Sequence, residues 1–184
     1  MLVLAAVSEE LGNLPGETVG IGPVVAAANA ATVLAARQPE RVLMIGTCGV
    51  YPTRSFAIGE AIMANRVGLS YGVAAMGLGY VPRAPEPVLC ATDLFERTNL
   101  PTADVLTTGA VTTDMVLAGR LSDDWSVEHL EVFGVAYACM QAGIPFNAIL
   151  GIANDVGPNA HAQWLSHRDE AQNAAREAAR ELLG

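Results

Sequence analysis

The sequence contains no lysine, and its ten basic residues are all arginine. Without lysine the chain cannot form a Schiff base on a lysine amine, and it cannot carry the lysine of a phosphate-binding P-loop. Cysteine is scarce as well. Cys48, Cys90 and Cys139 stand far apart with no CxxC pair, which argues against a disulfide framework and a cysteine zinc site. We expect these three thiols to be small buried apolar residues.

Positive charge and long apolar runs are also missing. The formal net charge is -9 and no basic cluster interrupts it, so the surface repels the phosphates of nucleic acids and anionic lipids. No apolar run approaches the roughly 20 residues of a membrane span. The opening MLVLAAV lacks the basic start of a signal peptide. We expect a cytoplasmic protein that binds neither nucleic acid nor membrane.

What the chain does contain is typical of an α/β protein. Hydrophobic residues make up 52% of it and aromatic residues only 5%, so Ala, Val, Leu and Ile must fill the core between a sheet and its helices. A length of 184 residues with no linker or internal repeat favours a single domain over residues 1–184.

Apolar runs and turn residues predict the order of the elements. The predicted strands are 2–7, a short one before Gly20, 41–46, a strand or hairpin around 57–67, 103–111 and 146–152. The predicted helices are 24–37, 130–142 and a last one that begins near Ser166, whose hydroxyl suits a helix N-cap. The second of these helices carries its apolar residues 132, 135, 136 and 139 on one face. Because a strand, a helix and a strand follow one another near the start, we expect a parallel pair joined by a crossover.

Polar residues that directly follow apolar runs are the candidate functional residues, because ligands of open α/β sheets bind beyond the carboxyl ends of the strands. These are Glu10, the Gly-rich segment 46–49, the segment 112–114 and the Asn154-Asp155 pair; Glu131 stands at the start of an apolar helix. Each alone has a simpler explanation: a solvated loop carboxylate, a tight turn, or an acid that favours a helix N-terminus.

Other kinds of catalytic chemistry have no support in the sequence. The histidines at 129, 161 and 167 are not spaced like metal ligands, and we expect them at the surface or in helix caps. No Gly-x-Ser-x-Gly motif occurs, which argues against covalent catalysis by a serine. The remaining carboxylates, amide and glycines suit the recognition of a sugar and general-base chemistry on water.

Four segments together resemble the nucleoside phosphorylase and nucleosidase family: GIGPVVAAANAA, IGTCGV, IGEAIMAN and HLEVFGVAYACMQAGIPFNAILGIANDVG. The resemblance covers most of the chain. It implies a three-layer α/β fold with a twisted, mixed and mostly parallel sheet, partly closed into a barrel and flanked by helices. It also implies a small-molecule nucleoside and water as substrates, a homodimer, and no cofactor or metal.

The resemblance also assigns roles to individual residues. Glu131 matches the acid of a Met-Glu motif that binds the ribose hydroxyls, and Leu130 stands where the family has Met. Glu10 matches the acid that activates the attacking water, and Asn154 matches the residue that faces N7 of the purine. Substrate-binding positions follow in the same way: Thr47 and Gly49 beside the ribose, and Val116 and Leu117 against the base.

Two departures from the family pattern bear on the reaction. Phosphorylases of the family hold phosphate with arginines, but here no arginine precedes Arg37 and Met44-Ile45 lead into the Gly-rich segment; water is therefore the expected nucleophile. Adenine-specific members carry Asp where Asn154 stands, and an amide does not repel a 6-oxo group. The expected reaction is hydrolysis of a 6-oxopurine nucleoside, and NDVGPNAHAQW resembles hydrolases that release hypoxanthine in an alternative menaquinone pathway.

The sequence also allows three other functions: a purine nucleoside phosphorylase, a methylthioadenosine or adenosylhomocysteine nucleosidase, and an inactive relative that only binds nucleosides. The segment between Glu10 and Gly20 leaves no room for a hairpin that relatives carry. Side chains alternate along a strand, so we expect Asn154 to face the ligand and Asp155 to cap the next turn or to bond locally to backbone N–H groups. A shift of one residue would place Asp155 at the base instead.

Overall fold

The computed structural model describes all 184 residues, Met1 to Gly184. The strands are β1 (Leu2–Ala5), β2 (Glu17–Thr18), β3 (Val42–Val50), β4 (Ala61–Ser70), β5 (Val88–Leu89), β6 (Thr102–Thr108), β7 (Val127–His129) and β8 (Phe146–Asp155). The helices are α1 (Ser8–Leu11), α2 (Pro23–Arg37), α3 (Gly72–Ala75), α4 (Met115–Leu121), α5 (Val132–Ala142) and α6 (Ala160–Leu183), with a 3-10 helix at Thr92–Arg97.

The eight strands form one mixed sheet that closes on itself. Five strands make a ring, because β3 pairs with β7, β7 with β6, β6 with β4, β4 with β8, and β8 with β3 again. Strands β1 and β2 extend the sheet beyond β3, and β5 extends it beyond β4. Most pairs are parallel, and the β1–β3 pair joined through α2 confirms the predicted crossover. The α/β fold with a partly barrel-like sheet is therefore confirmed.

Alternate residues of the strands pack on opposite faces of the sheet, as the strand period of two requires. Val42 and Met44 belong to the apolar cluster that includes buried residues of α2 and α5. Leu43 and Ile45 belong to a second cluster, which includes three buried alanines of α6. Helices therefore cover the sheet on both sides and give three layers.

The apolar face predicted for α5 is confirmed, since its valines, alanine and cysteine at 132, 135, 136 and 139 are all buried. All three cysteines are buried and free, as expected for small apolar residues. None of the helices has both the length and the apolar character that crossing a membrane requires.

The prediction for the start of the last helix is wrong. Helix α6 begins at Ala160 rather than near Ser166, and the Ser166 hydroxyl donates to the Ala162 carbonyl oxygen within the helix. The physical reason is that residues such as Trp164 in the first turns of α6 line a cavity instead of the core. These turns therefore lack the apolar stripe by which a helix is predicted.

The prediction of a tight turn at residues 46–49 is also wrong. Strand β3 continues through these residues to Val50, with one irregularity between Cys48 and Gly49. Neither Gly46 nor Gly49 has a positive φ, so their absent side chains serve close approach rather than a turn.

Three further boundaries differ from the predictions. The segment after β1 is a one-turn helix, α1, and not an open loop. Strand β8 extends to Asp155, so that Asn154 lies within the strand. Helix α5 starts at Val132, and Glu131 occupies its N-cap position without a side-chain cap bond.

Candidate active site

A cavity of about 550 Å³ opens where the ends of β1, β3, β7 and β8 meet the first turns of α6. Five acidic side chains and one arginine line it. Its lining includes Glu10, Thr47, Gly49, Glu128, His129, Leu130, Glu131, Asn154, His161, Trp164 and Arg168. A larger groove of about 720 Å³ between α2 and α5 carries no carboxylate, imidazole or guanidinium, so the polar cavity is the candidate active site.

Glu10 is held in the cavity by three backbone N–H groups. Its Oε2 accepts from Ala6 at 3.0 Å and from Val7 at 3.4 Å, and its Oε1 accepts from Thr47 of β3 at 3.3 Å. Burial, and then repulsion from the Glu131 carboxylate, raise the pKa of Glu10 from 4.5 to about 7, against the opposite effect of the three N–H donors. A buried carboxyl that titrates near neutral pH is suited to general-base work.

Glu131 lies at the N-terminus of α2, although the two residues are far apart in sequence. Its Oε1 accepts from the Gly22 N–H at 2.8 Å, a geometry that the positive end of the helix dipole favours. Gly22 adopts φ 88°, a conformation that glycine takes without strain. The carboxylate of Glu131 is buried, and it lies close enough to Glu10 to raise the pKa of that group.

Asn154 lines the cavity and Asp155 does not. The Asn154 side chain donates one N–H to the Asp155 carbonyl at 2.9 Å, and its amide oxygen accepts no hydrogen bond from the protein. Asp155 is exposed; its N–H donates to the Gln163 amide oxygen, and its carboxylate accepts from the Gln163 side-chain N–H. The Asp155 carboxylate therefore makes neither of the two bonds predicted for it, a cap of the following turn or a local bond to backbone N–H groups. Gly49 makes room for Asn154, because a Cβ on Gly49 would lie 2.7 Å from the Asn154 Nδ2.

Two buried residues of the cavity were not predicted from the sequence as site residues. Glu128 accepts from the Tyr51 hydroxyl at 3.1 Å and from the Thr112 N–H at 2.9 Å, and burial raises its pKa. His129 accepts hydrogen bonds from two N–H groups at the start of α5. Of the two positions expected for the histidines, His129 therefore occupies a helix cap and not the surface. The only signal in the sequence was their place directly before Leu130 and Glu131.

One wall of the cavity comes from α6. The Trp164 indole N–H donates to the Thr47 hydroxyl at 3.0 Å, which ties this helix to β3. His161 stacks with Trp164 at 6.1 Å between ring centroids, and the Arg168 guanidinium lies 5.2 Å from the indole ring. An aromatic surface with polar edges of this kind suits a planar ligand.

Val116 and Leu117, predicted to line the base, lie outside the cavity. Asp114 caps α4 by accepting from the Leu117 N–H, and the helix then directs Val116 outward, where it is 58% exposed. Leu117 packs against a small cluster that contains Tyr51 and Leu106. Apolar side chains of Ile21, Val111 and Trp164 line the cavity in their place. The described residues include no group of three or more side chains arranged to hold a metal ion.

Comparison with solved structures gives the class of fold. A futalosine hydrolase mutant of Helicobacter pylori superposes with a TM-score of 0.85 at 15% identity, covering 98% of this chain and 96% of that one. A 5'-methylthioadenosine/S-adenosylhomocysteine nucleosidase from Colwellia psychrerythraea, in complex with adenine, gives 0.83 at 18% identity over 99% and 93%. The fold is that of nucleoside phosphorylases and nucleosidases.

Sequence comparison then gives the family. The family model described as "Phosphorylase superfamily" matches residues 14–184. The chain is also 30% identical over 179 residues to a futalosine hydrolase of Thermus thermophilus, covering 89% of this chain and 78% of that protein. The chain belongs to the phosphorylase superfamily.

We predict that Glu10 titrates near pH 7 in the folded protein. Because burial and Glu131 disfavour its ionised form, Glu131→Gln should lower the pKa of Glu10, and Glu177→Gln on the exposed face of α6 should not. Glutamate 13C chemical shifts measured against pH test this. A Glu10 pKa that is unchanged in Glu131→Gln would contradict the geometry.

The raised pKa of Glu10 also makes the stability of the protein depend on pH. The contribution of Glu10 to the free energy of unfolding is full below about pH 4.5 and is lost as the pH rises through about 7.

Proposed function

We propose that this protein is an N-ribosyl hydrolase that cleaves the glycosidic bond of a 6-oxopurine nucleoside, with futalosine as substrate and hypoxanthine as the released base. The observation that carries the proposal is that two buried carboxylates, Glu10 and Glu131, share one cavity with the amide of Asn154. The likeness to a futalosine hydrolase at 30% identity supports the choice of substrate.

In the proposed mechanism the bond between C1′ and N9 stretches toward a ribosyl cation before water attacks. Glu131 binds the ribose hydroxyls, with Leu130, Thr47 and Gly49 around the sugar, and its negative charge stabilises the developing positive charge. The bonding electron pair passes to the purine. Asn154 stabilises the leaving base by hydrogen bonds, because one N–H of its amide donates to the Asp155 carbonyl while its amide oxygen and its other N–H have no partner in the protein.

Glu10 acts as the general base on the water in this proposal. The three N–H donors fix its carboxylate in one orientation, so the ionised form does not have to reorganise when it takes a proton. With a pKa of about 7, Glu10 is substantially ionised at neutral pH and still basic enough to accept the water proton.

Water is favoured over phosphate by the charge of the cavity. Phosphate needs charge-assisted donors to bind. The charged side chains that line this cavity are five carboxylates and one arginine. Arg168, the one arginine of the lining, packs over Trp164 and approaches Asp169 at 3.7 Å. A phosphate dianion next to Glu10 and Glu131 would be repelled.

A rate measurement tests the role of Glu10. Glu10→Gln keeps the size of the side chain but removes the base, so kcat should fall by roughly 10² to 10⁴ while KM changes little. Glu177→Gln makes the same change on the exposed face of α6, outside the cavity, and serves as the matched control. A Glu10→Gln protein with full activity would overturn the assignment.

The choice of base is tested by measuring free purine released from futalosine, inosine and methylthioadenosine. We expect hypoxanthine from futalosine and little adenine from methylthioadenosine. Asn154→Asp should raise the rate of adenine release from methylthioadenosine, relative to the rate of hypoxanthine release from futalosine, by at least tenfold. The reason is that a carboxylate accepts a hydrogen bond from a 6-amino group and repels a 6-oxo group. Equal ratios in the two proteins would contradict the role of Asn154. A phosphorylase would instead release base from inosine only when phosphate is added.

We also propose a homodimer, supported by exposed apolar side chains around one groove. Val24 is 79% exposed, Tyr71 48% and Tyr137 40%, and all three line an apolar groove between α2, α5 and the end of β4. Sedimentation should give twice the chain mass, and Val24→Asp should give the monomer. Leu89→Asp, which alters an equally exposed residue on β5, should leave the dimer intact. A monomer in the unaltered protein would contradict this proposal.

The resemblance to futalosine hydrolase further supports a cytoplasmic role in menaquinone synthesis, which we include in the proposal. The supporting observation is the likeness to the Thermus thermophilus protein. A strain that lacks the protein should grow only with added menaquinone if the proposal holds, and growth without it would contradict this role.

A further inference from the structure

His129 presents a hydrogen-bond donor that no group of the protein accepts. The residue ends β7 and is only 4% exposed. Its Nδ1 accepts from the backbone N–H of Glu131 at 3.0 Å and from that of Val132 at 3.2 Å. Because an acceptor nitrogen carries no proton, the proton of the neutral ring must lie on Nε2. Burial lowers the pKa of His129, which keeps the ring in this neutral form.

The approach of Glu131 Oε2 to His129 Nδ1, at 3.2 Å, does not change this assignment. An ion pair there would need a proton on Nδ1, but both N–H groups of the α5 start already point at that nitrogen. The free donor of His129 is therefore Nε2–H, on the opposite side of the ring.

The position of Gly46 shows where this donor points. A Cβ on Gly46 would lie 2.8 Å from the His129 Nε2 and 3.2 Å from the Glu10 Oε1. The imidazole donor and the carboxylate acceptor thus face one small volume, which stays open because Gly46 has no side chain. No hydrogen bond joins Nε2 to a protein atom, and Nε2 is not among the fully enclosed polar atoms that lack a partner, so it faces the cavity that His129 lines.

We propose that the Nε2–H of His129 binds and orients the attacking water together with Glu10, and that His129 is therefore a further catalytic residue. This inference rests on the proposed hydrolase function. A water molecule there would donate one hydrogen to Glu10 Oε1 and accept the Nε2–H with one lone pair. Two tetrahedral directions of the water remain, one for its second O–H and one for its second lone pair, and this lone pair is free to attack C1′ of the nucleoside.

The bonds and protons of the step balance without another reactant. The water oxygen forms a bond to C1′, the bond from C1′ to N9 breaks, and its electron pair passes to the purine. The water proton moves to Glu10, and the purine anion, stabilised by Asn154, takes a proton from solvent. His129 keeps its proton throughout. A neutral donor is suited to this task, because an imidazolium would repel the developing ribosyl cation.

Two substitutions separate this role from the capping of α5. His129→Asn places an amide oxygen near Nδ1, where it can accept from the two N–H groups, but it puts no donor at Nε2. His129→Gln can place an N–H near Nε2 but fits the cap less well. We expect His129→Asn to keep a melting temperature close to that of the unaltered protein and to lose on the order of 10²-fold in kcat with little change in KM.

His129→Gln should show the opposite pattern, with the lower melting temperature and the higher kcat of the two variants. His167→Asn, which makes the same change outside the cavity, is the matched control and should behave like the unaltered protein. If His129→Asn is as active as the unaltered protein, or loses activity only through KM, the inference is overturned while the hydrolase proposal stands. If the unaltered protein releases no base from any nucleoside, both are overturned.

Discussion

The site depends on the burial of two carboxylates, Glu10 and Glu131, in one cavity. Burying a carboxylate is costly unless donors surround it, and here backbone N–H groups from three separate segments supply them. These donors come from the end of β1, the start of α2 and the middle of β3. The strands and the crossover helix must therefore keep one register, because a shift would remove the N–H donors that stabilise the two buried carboxylates. The fold and the proposed chemistry thus depend on the same backbone positions.

Strand β3 is the second constraint, because its two glycines leave the space that the cavity uses. Gly46 leaves room between His129 and Glu10, and Gly49 leaves room for Asn154. Thr47 between them donates its N–H to Glu10 and accepts from Trp164. A strand that forms the centre of the sheet thus also forms the floor of the candidate active site, and a methyl group at either glycine would intrude on it.

Much of this could be predicted from the sequence, and the exceptions have physical causes. Local patterns predicted the crossover from β1 through α2 to β3 and the apolar face of α5. The resemblance to the family predicted which residues meet, and Glu10, Thr47, Gly49, Leu130, Glu131 and Asn154 do share the cavity.

The failures lie where a segment faces the cavity or where its direction depends on tertiary contacts. The first turns of α6 carry Trp164 and Arg168 toward the cavity, so they have no apolar stripe and the helix start was missed. Val116 was misplaced because the direction of a short helix after a loop is set by its cap, here Asp114, and not by apolar spacing. His129 is a single imidazole, and only the fold reveals that its second nitrogen faces Glu10.

The central claim is that water, and not phosphate, attacks the nucleoside. The most direct measurement is 31P NMR of a futalosine reaction carried out in excess inorganic phosphate, followed until the base is released. The account predicts free sugar product, no sugar 1-phosphate signal and a rate independent of phosphate concentration. A sugar 1-phosphate that accumulates in step with hypoxanthine would contradict it.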